Sequence, residues 1–182
     1  MIQFVEAQPR DAAALAHASE RAFHSDIHCG APGIGGPPGY KSEAWQRKIM
    51  RVGDYFKIVA DRQNVGDRQI VSDAQSVGDG QIVGDGQIVG GMIVFRQAPR
   101  HYELGRIFVD PDVQNQGIGA QAFKFLWQEY PLAKKWTLGT PDWNQRTRHF
   151  YKKVGFVEVG SDGHDGILFE RIIAPAGTTS EL

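Results

Sequence analysis

The run ELGRIFVDPDVQNQGIGAQAFKF, which begins at Glu103, has the residue types and spacing best suited to chemistry. A β-prone segment ends at Asp110-Pro111, and a glycine-containing turn then opens an amphipathic helix. Backbone N–H groups at a helix start have no partner within the helix and lie at the positive end of its dipole, so such a turn attracts anions. Gly117 and Gly119 carry no side chains, so a pyrophosphate could reach the main chain there. Residues 114–120 therefore read either as an anion cradle or as a plain tight turn. The P-loop pattern and the dinucleotide pattern Gly-x-Gly-x-x-Gly after a first strand are both missing.

Other reactive side chains fall into three groups. Glu103 and His101 lie two apart on one strand, where either could accept a proton or simply face water. Tyr151 lies on a late helix, as a proton donor or as a core aromatic. His24, Asp26, His28, Cys29, Tyr40 and Trp45 lie in or near a loop after the first helix. His24 and His28 are four apart with Cys29 adjacent, but the Gly/Pro-rich surroundings and the lack of a fourth ligand argue against a metal. Asp162, His164 and Asp165 sit between the last two strands, as contacts for a cationic group or as a polar turn.

The pattern of apolar residues supplies the elements that must hold these groups. Residues 2–7 read as a strand. Pro9 and Asp11 open a helix with Leu15, Ala18, Ala22 and Phe23 on one face. Residues 31–40, APGIGGPPGY, are a loop by composition. A second helix over 42–50 follows, with Ser42 as its cap. Strands are expected at 55–60, 92–97, 101–109, 136–139, 156–159 and 167–173. Helices are expected at 117–130 and 144–154, the latter with Phe150 and Val154 facing inward.

A hexapeptide, Val-Gly-Asp-Gly-Gln-Ile in its best copies, repeats across residues 63–91 from Val65, Val71, Val77, Val83 and Val89. These imperfect copies are too few to bury a β-helix core, so the tract reads as a duplicated extension of one hairpin. An even period keeps the valines on one face, and a slip of one repeat preserves that pattern, so register is weakly fixed. The tract's aspartates do not match the period-nine calcium repeats. Its strand edges could also serve as an oligomerisation arm.

Composition narrows the function classes. The chain has 182 residues, of which 41% are hydrophobic and 23% charged, which suits one globular domain. Lys and Arg total 20 against 21 Asp and Glu, for a net charge of −1. That balance disfavours nucleic-acid binding, which needs a basic excess. The single cysteine, Cys29, excludes an internal disulfide. Without an apolar leader or a long apolar run, the expectation is a cytoplasmic protein that does not cross a membrane.

With the elements in place, Gln114-Asn115-Gln116-Gly117-Ile118-Gly119 resembles the Gln/Arg-x-x-Gly-x-Gly/Ala signature of the GCN5-related N-acetyltransferases (GNAT). A second motif, Asn144 followed by a helix ending Phe150-Tyr151-Lys-Lys-Val-Gly155-Phe156, resembles that superfamily's later motif. The order of elements agrees along nearly the whole chain. The repeat tract is the main departure, since relatives usually have only a few residues between the second and third strands. The resemblance implies an α/β fold: a mixed, mostly antiparallel sheet of about six or seven strands flanked by about four helices. Residues 1–173 would form one domain, with 63–91 as a repeat-expanded hairpin and 174–182 as a flexible tail.

The resemblance also implies an activity and a set of roles. The protein would move an acetyl group from acetyl-coenzyme A directly to a primary amine, without a metal. The alternative is a coenzyme A-binding sensor with little or no turnover. Main-chain groups of Ile107, Phe108 and Val109 would pair with the acetyl carbonyl and the pantetheine amides. Those of Gln114, Asn115, Gln116, Gly117, Ile118, Gly119 and Ala120 would hold the pyrophosphate. Asn144 would touch the pantetheine arm, with Arg146 and Arg148 in reach of the phosphates. Tyr151 would be the general acid and Glu103 the base candidate. His28, Tyr40, Trp45 and Glu103 would face the amine acceptor, a small molecule or a peptide. A homodimer is common in that superfamily.

Overall fold

A computed structural model describes residues 1–61 and 86–174. Its strands are β1 (Ile2–Glu6), β2 (Asp54–Asp61), β3 (Gly86–Ala98), β4 (His101–Val109), β5 (Lys135–Pro141), β6 (Val157–Ser161) and β7 (Gly166–Ile172). Its α-helices are α1 (Ala12–His24), α2 (Glu43–Ile49), α3 (Ile118–Glu129) and α4 (Gln145–Lys153). The strands form one sheet in the order β1-β2-β3-β4-β5-β7-β6. Only the β4–β5 pair is parallel; its neighbours are antiparallel. This is the architecture expected from the sequence.

The helices form where the apolar spacing puts them. Leu15, Ala18, Ser19 and Ala22 bury one face of α1, and Ile118, Ala122, Phe123 and Leu126 bury one face of α3. Ser42 caps α2 by accepting the Trp45 N–H at 3.2 Å, and Asn144 caps α4 by accepting the Thr147 N–H at 3.1 Å. Leu15, Ala22, Tyr55, Ile93 and Phe108 form a core between the sheet and α1. Met92, Leu104, Phe123, Leu126, Trp136 and Tyr151 belong to the core that includes α3.

Phe150 of α4 and Val154 at its C-cap pack inward against the core as expected, and Tyr151 between them is the most buried residue of the helix, at 6% exposure. Packing against Phe123 and Phe169 draws the tyrosine ring inward. One expectation is corrected: the end of the repeat tract belongs to the sheet proper. Gly86 pairs with Asp61, and Val89 is fully buried within β3. The copies between residues 62 and 85, like the tail from 175 on, lie outside the described residues.

Candidate active site

The site is created by a separation of two strands. β4 and β5 pair only over residues 101–104 and 135–138. Beyond Leu104 the pairing with β3 shifts, since Arg106 faces Ile93 while Leu104 faces Val94, leaving Gly105 as a bulge. A bulge bends its strand and adds twist, so it can re-aim the residues beyond it. Gly105 is required by close approach: a Cβ there would lie 2.5 Å from the Phe95 ring. The separation opens a cleft of about 990 Å³ between residues 104–109 of β4 and residues 139–141 of β5. That volume suits a sizeable ligand.

The main chain of β4 is sorted by its pairing. Asp110 donates its N–H to Val89 O at 2.7 Å. Strand alternation then turns the main-chain groups of Ile107 and Val109 away from β3 and toward the cleft. Gln114 Nε2 accordingly reaches Val109 O at 2.8 Å. Phe108 has the opposite parity. Its ring is buried in the α1 core and its main chain faces β3, so its expected main-chain role does not fit this geometry.

At one end of the cleft lies the turn before α3. Asn115 and Gly117 take left-handed backbone angles, with φ of 62° and 77°. Gly117 is the α3 N-cap, and a Cβ there would meet nothing within 4 Å, so the space beside it is open. Gln121 donates its N–H to Gly117 O at 3.1 Å. The amides of Ile118, Gly119 and Ala120 therefore precede the helix's own ladder. Arg21 fixes the approach to this turn, pairing with Asp110 at 2.7 Å and Asp112 at 2.8 Å.

Tyr151 and Asn144 also line the cleft. Burial, and secondarily the charge of Asp26, push the Tyr151 phenol well above its ordinary value, so it stays protonated near neutral pH. The Asn144 side-chain oxygen is engaged in capping, and the residue is 2% exposed. It therefore shapes the wall while holding the start of α4.

Asp26, in the turn Ser25–Cys29 after α1, also faces the cleft. Arg146 joins it to the glycine turn: Nη2 donates to Asp26 Oδ1 at 3.2 Å and Nη1 to Gln114 Oε1 at 2.8 Å. Burial raises the Asp26 pKa above the ordinary carboxylate value, and Arg146 opposes that rise. Phe23, Arg106 and the Gly/Pro loop through Pro37 complete this end of the cleft.

Several candidates fall elsewhere. Glu103 is outside the cleft lining, and its carboxylate accepts a hydrogen bond from Gln97. His101 Nε2 lies 3.1 Å from Thr137 Oγ1. His28 is exposed and does not line the cleft. Tyr40 and Trp45 stand behind the wall. The Tyr40 hydroxyl lies 2.9 Å from His24 Nε2, and the Trp45 ring supports the Arg106 guanidinium at 4.2 Å. Arg148 pairs with Glu158 at 3.1 Å instead of facing the cleft. Asp162 closes its own turn by accepting from the His164 and Gly166 N–H groups. Among the described residues, no group of three or more His, Cys, Asp or Glu side chains could hold a metal ion.

Sequence reasoning underrated Asp26 and gave Arg106 no role. The one available signal was composition: a loop as rich in glycine and proline as residues 31–40 can line a cleft with backbone and small side chains.

Comparison with known proteins agrees with this geometry. Residues 78–158 match the family described as an acetyltransferase (GNAT) domain. The PaiA N-acetyltransferase of Thermoplasma acidophilum, solved in complex with coenzyme A, superposes with a TM-score of 0.71 at 14% identity, over 95% of this chain and 99% of that one. The ribosomal-protein-S18-alanine N-acetyltransferase of Escherichia coli gives 0.64 at 17% identity, over all of both chains. At such identities these likenesses speak for the fold. An uncharacterized Bacillus subtilis protein, YrkN, is 36% identical over 67 residues, 35% of this chain; the match spans only 36% of that protein's length. The matched segment carries the split between β4 and β5, the left-handed turn and the start of α4; residues 78–158 are similar to the acetyltransferase (GNAT) domain family, and the fold around them is the one these acetyltransferases share.

Proposed function

We propose that the protein transfers an acetyl group from acetyl-coenzyme A to a primary amine by direct attack in a ternary complex. The observation that carries this reading is the continuous cleft from the left-handed turn at Gly117, past the inward-facing main chain of Val109 and Ile107, to Tyr151 and Asp26. A ligand with a pyrophosphate at one end and an amide-bearing arm suits that surface. The amides of residues 116–120 would hold the pyrophosphate, and the main chain of β4 would pair with the arm. Residues 1–173 act on this reading as one catalytic domain.

The chain's groups can supply each proton and charge. The Val109 N–H stabilises the thioester oxygen as it gains charge. Asp26 accepts the proton that the attacking amine must lose, directly or through water. Tyr151 donates a proton to the departing thiolate and recovers one from solvent. Asp26 takes the place expected for Glu103 because it is the carboxylate on the cleft.

Calorimetric titration with acetyl-coenzyme A, followed by thioester consumption across a panel of amines, tests the proposal. Binding with turnover supports it, and binding without turnover favours a sensor. Absence of binding removes the assignment of the glycine turn. Tyr151→Phe should lower kcat by roughly 100-fold, the usual scale for losing a positioned acid, while leaving coenzyme A affinity unchanged. Equal turnover would make the tyrosine purely structural.

A further inference from the structure

The two charged side chains at the acceptor end are not alike. Asp26 has Arg146 as its counter-charge. Arg106, one residue before the inward-facing Ile107, pairs with no carboxylate among the described residues. Its Nη2 donates to Pro38 O at 3.2 Å, while Nη1 is buried without a hydrogen-bond partner. The guanidinium is wedged between aromatic rings, 4.2 Å from the centroid of Trp45 and 5.7 Å from that of Phe23. Burial lowers its pKa from the ordinary arginine value, so the protein holds this cation at a cost.

Arg106 is half-buried, and a partly desolvated cation without an anion is held at a cost that a methionine or leucine in the same space would avoid. The two neighbouring rings hold the guanidinium in place, so a carboxylate that displaces the Pro38 carbonyl from Nη2 would meet a pre-organised cationic donor. The anion is not the pyrophosphate. Arg106 precedes Val109 by three strand residues, about 10 Å at the rise of a strand, and the glycine turn lies farther on. Arg106 also projects onto the α1 face of the sheet, with Phe23 and Trp45, whereas the α3 core lies on the other face.

We infer that the acceptor amine carries a carboxylate, as an amino acid does, and that Arg106 is the specificity-determining residue that receives it. This rests on the acetyl-transfer reading. Asp26 and Arg106 then divide the acceptor between them, the first meeting its amine and the second its acid group.

The test compares matched pairs: alanine with ethylamine, phenylalanine with phenethylamine, lysine with cadaverine. Acetyl-coenzyme A binding is measured alongside, and calorimetry of the loaded protein with each compound supplies a readout independent of turnover. The wild type should favour the carboxylated member of at least one pair by about tenfold or more in kcat/KM, or in affinity, on the scale of a charge-assisted hydrogen bond. Arg106→Gln should erase that preference mainly through KM, with acetyl-coenzyme A affinity kept as the check on folding. Arg106→Lys should retain part of it. Should the glutamine variant not fold, the lysine variant and the wild-type preference decide. The inference is overturned if the paired amines are used equally, if Arg106→Gln keeps the preference, or if a protein that binds acetyl-coenzyme A neither binds nor acetylates any carboxylated amine. Failure to bind acetyl-coenzyme A would instead overturn the reading beneath it.

Discussion

The two ends of the cleft are made of different material. The end at residues 114–120 is main chain: left-handed residues at 115 and 117, followed by the open amides of α3. Its positive potential comes from aligned peptide dipoles, which no single side-chain change removes. At the other end the Gly/Pro loop supplies only small residues, and the functional groups are side chains from separate stretches: Phe23 on α1, Asp26 in the turn after it, Arg106 on β4 and Tyr151 on α4. There the charges are whole ones, and each depends on one residue. A backbone-built end can keep one ligand while a side-chain-built end is retuned, a division suited to an enzyme with a fixed donor and an adaptable acceptor site.

The backbone end should break when a side chain fills the open space beside its main chain. Gly117→Val should give the largest effect, a loss of coenzyme A affinity of about 100-fold, or ~2.7 kcal/mol. A Cβ at Gly117 meets no protein atom, so the protein itself offers no clash. The left-handed φ of 77° adds strain of about 1–2 kcal/mol for any L side chain, so melting temperature should fall modestly. Gly117→Ala separates the two effects, since it keeps the strain with less bulk. Calorimetry on both variants, with circular dichroism to confirm folding, makes the comparison. Unchanged affinity would show that the turn is not the phosphate site.

This contrast also explains what could be seen in the sequence. The turn was legible because its determinants are contiguous: Asp110-Pro111 stops the strand, Gly117 permits the left-handed cap, and Ile118 and Ala122 set the helix face. The same local logic placed α1, α2 and α4, with the α2 cap at Ser42, whereas the capping role of Asn144 emerged only in the structure. The acceptor end was not legible, because no periodicity encodes that Arg106 lies under Trp45 or that Asp26 meets Arg146 across 120 residues. Glu103 and Arg106 share a strand, and one bulged glycine between them decides which continues into the cleft. Sequence spacing counts residues but does not register a bulge.

Asp26→Asn should sharpen the comparison at the side-chain end, lowering kcat/KM by roughly 30-fold, just below the usual span for general bases, with little change in coenzyme A affinity. The pH profile gives the more telling readout. Only ionised Asp26 can accept a proton, so activity should fall as pH drops through its pKa. Burial sets that pKa above the ordinary carboxylate value, and the Arg146 charge pulls it back down. Arg146→Ala removes the pull, so the acid limb should move to higher pH, and in Asp26→Asn it should disappear. A limb that ignores both substitutions would assign the base to water or to another group.

Glu103→Gln should give the smallest effect, and its smallness is informative. The two carboxylates differ in surroundings: Asp26 is mostly buried on the cleft, while Glu103 lies outside it and accepts from Gln97. Gln97 can still find an acceptor in the amide oxygen of a glutamine at 103, so the local hydrogen bond survives. The variant should therefore keep kcat/KM within about twofold of the wild type and leave the acid limb in place, as for a surface substitution worth under about 0.5 kcal/mol. A loss of tenfold or more, with the limb abolished, would return the base role to Glu103. It would also mean that the bulge at Gly105 shifts when an amine arrives, since β4 would have to present Glu103 to the cleft for a carboxylate now outside it to act.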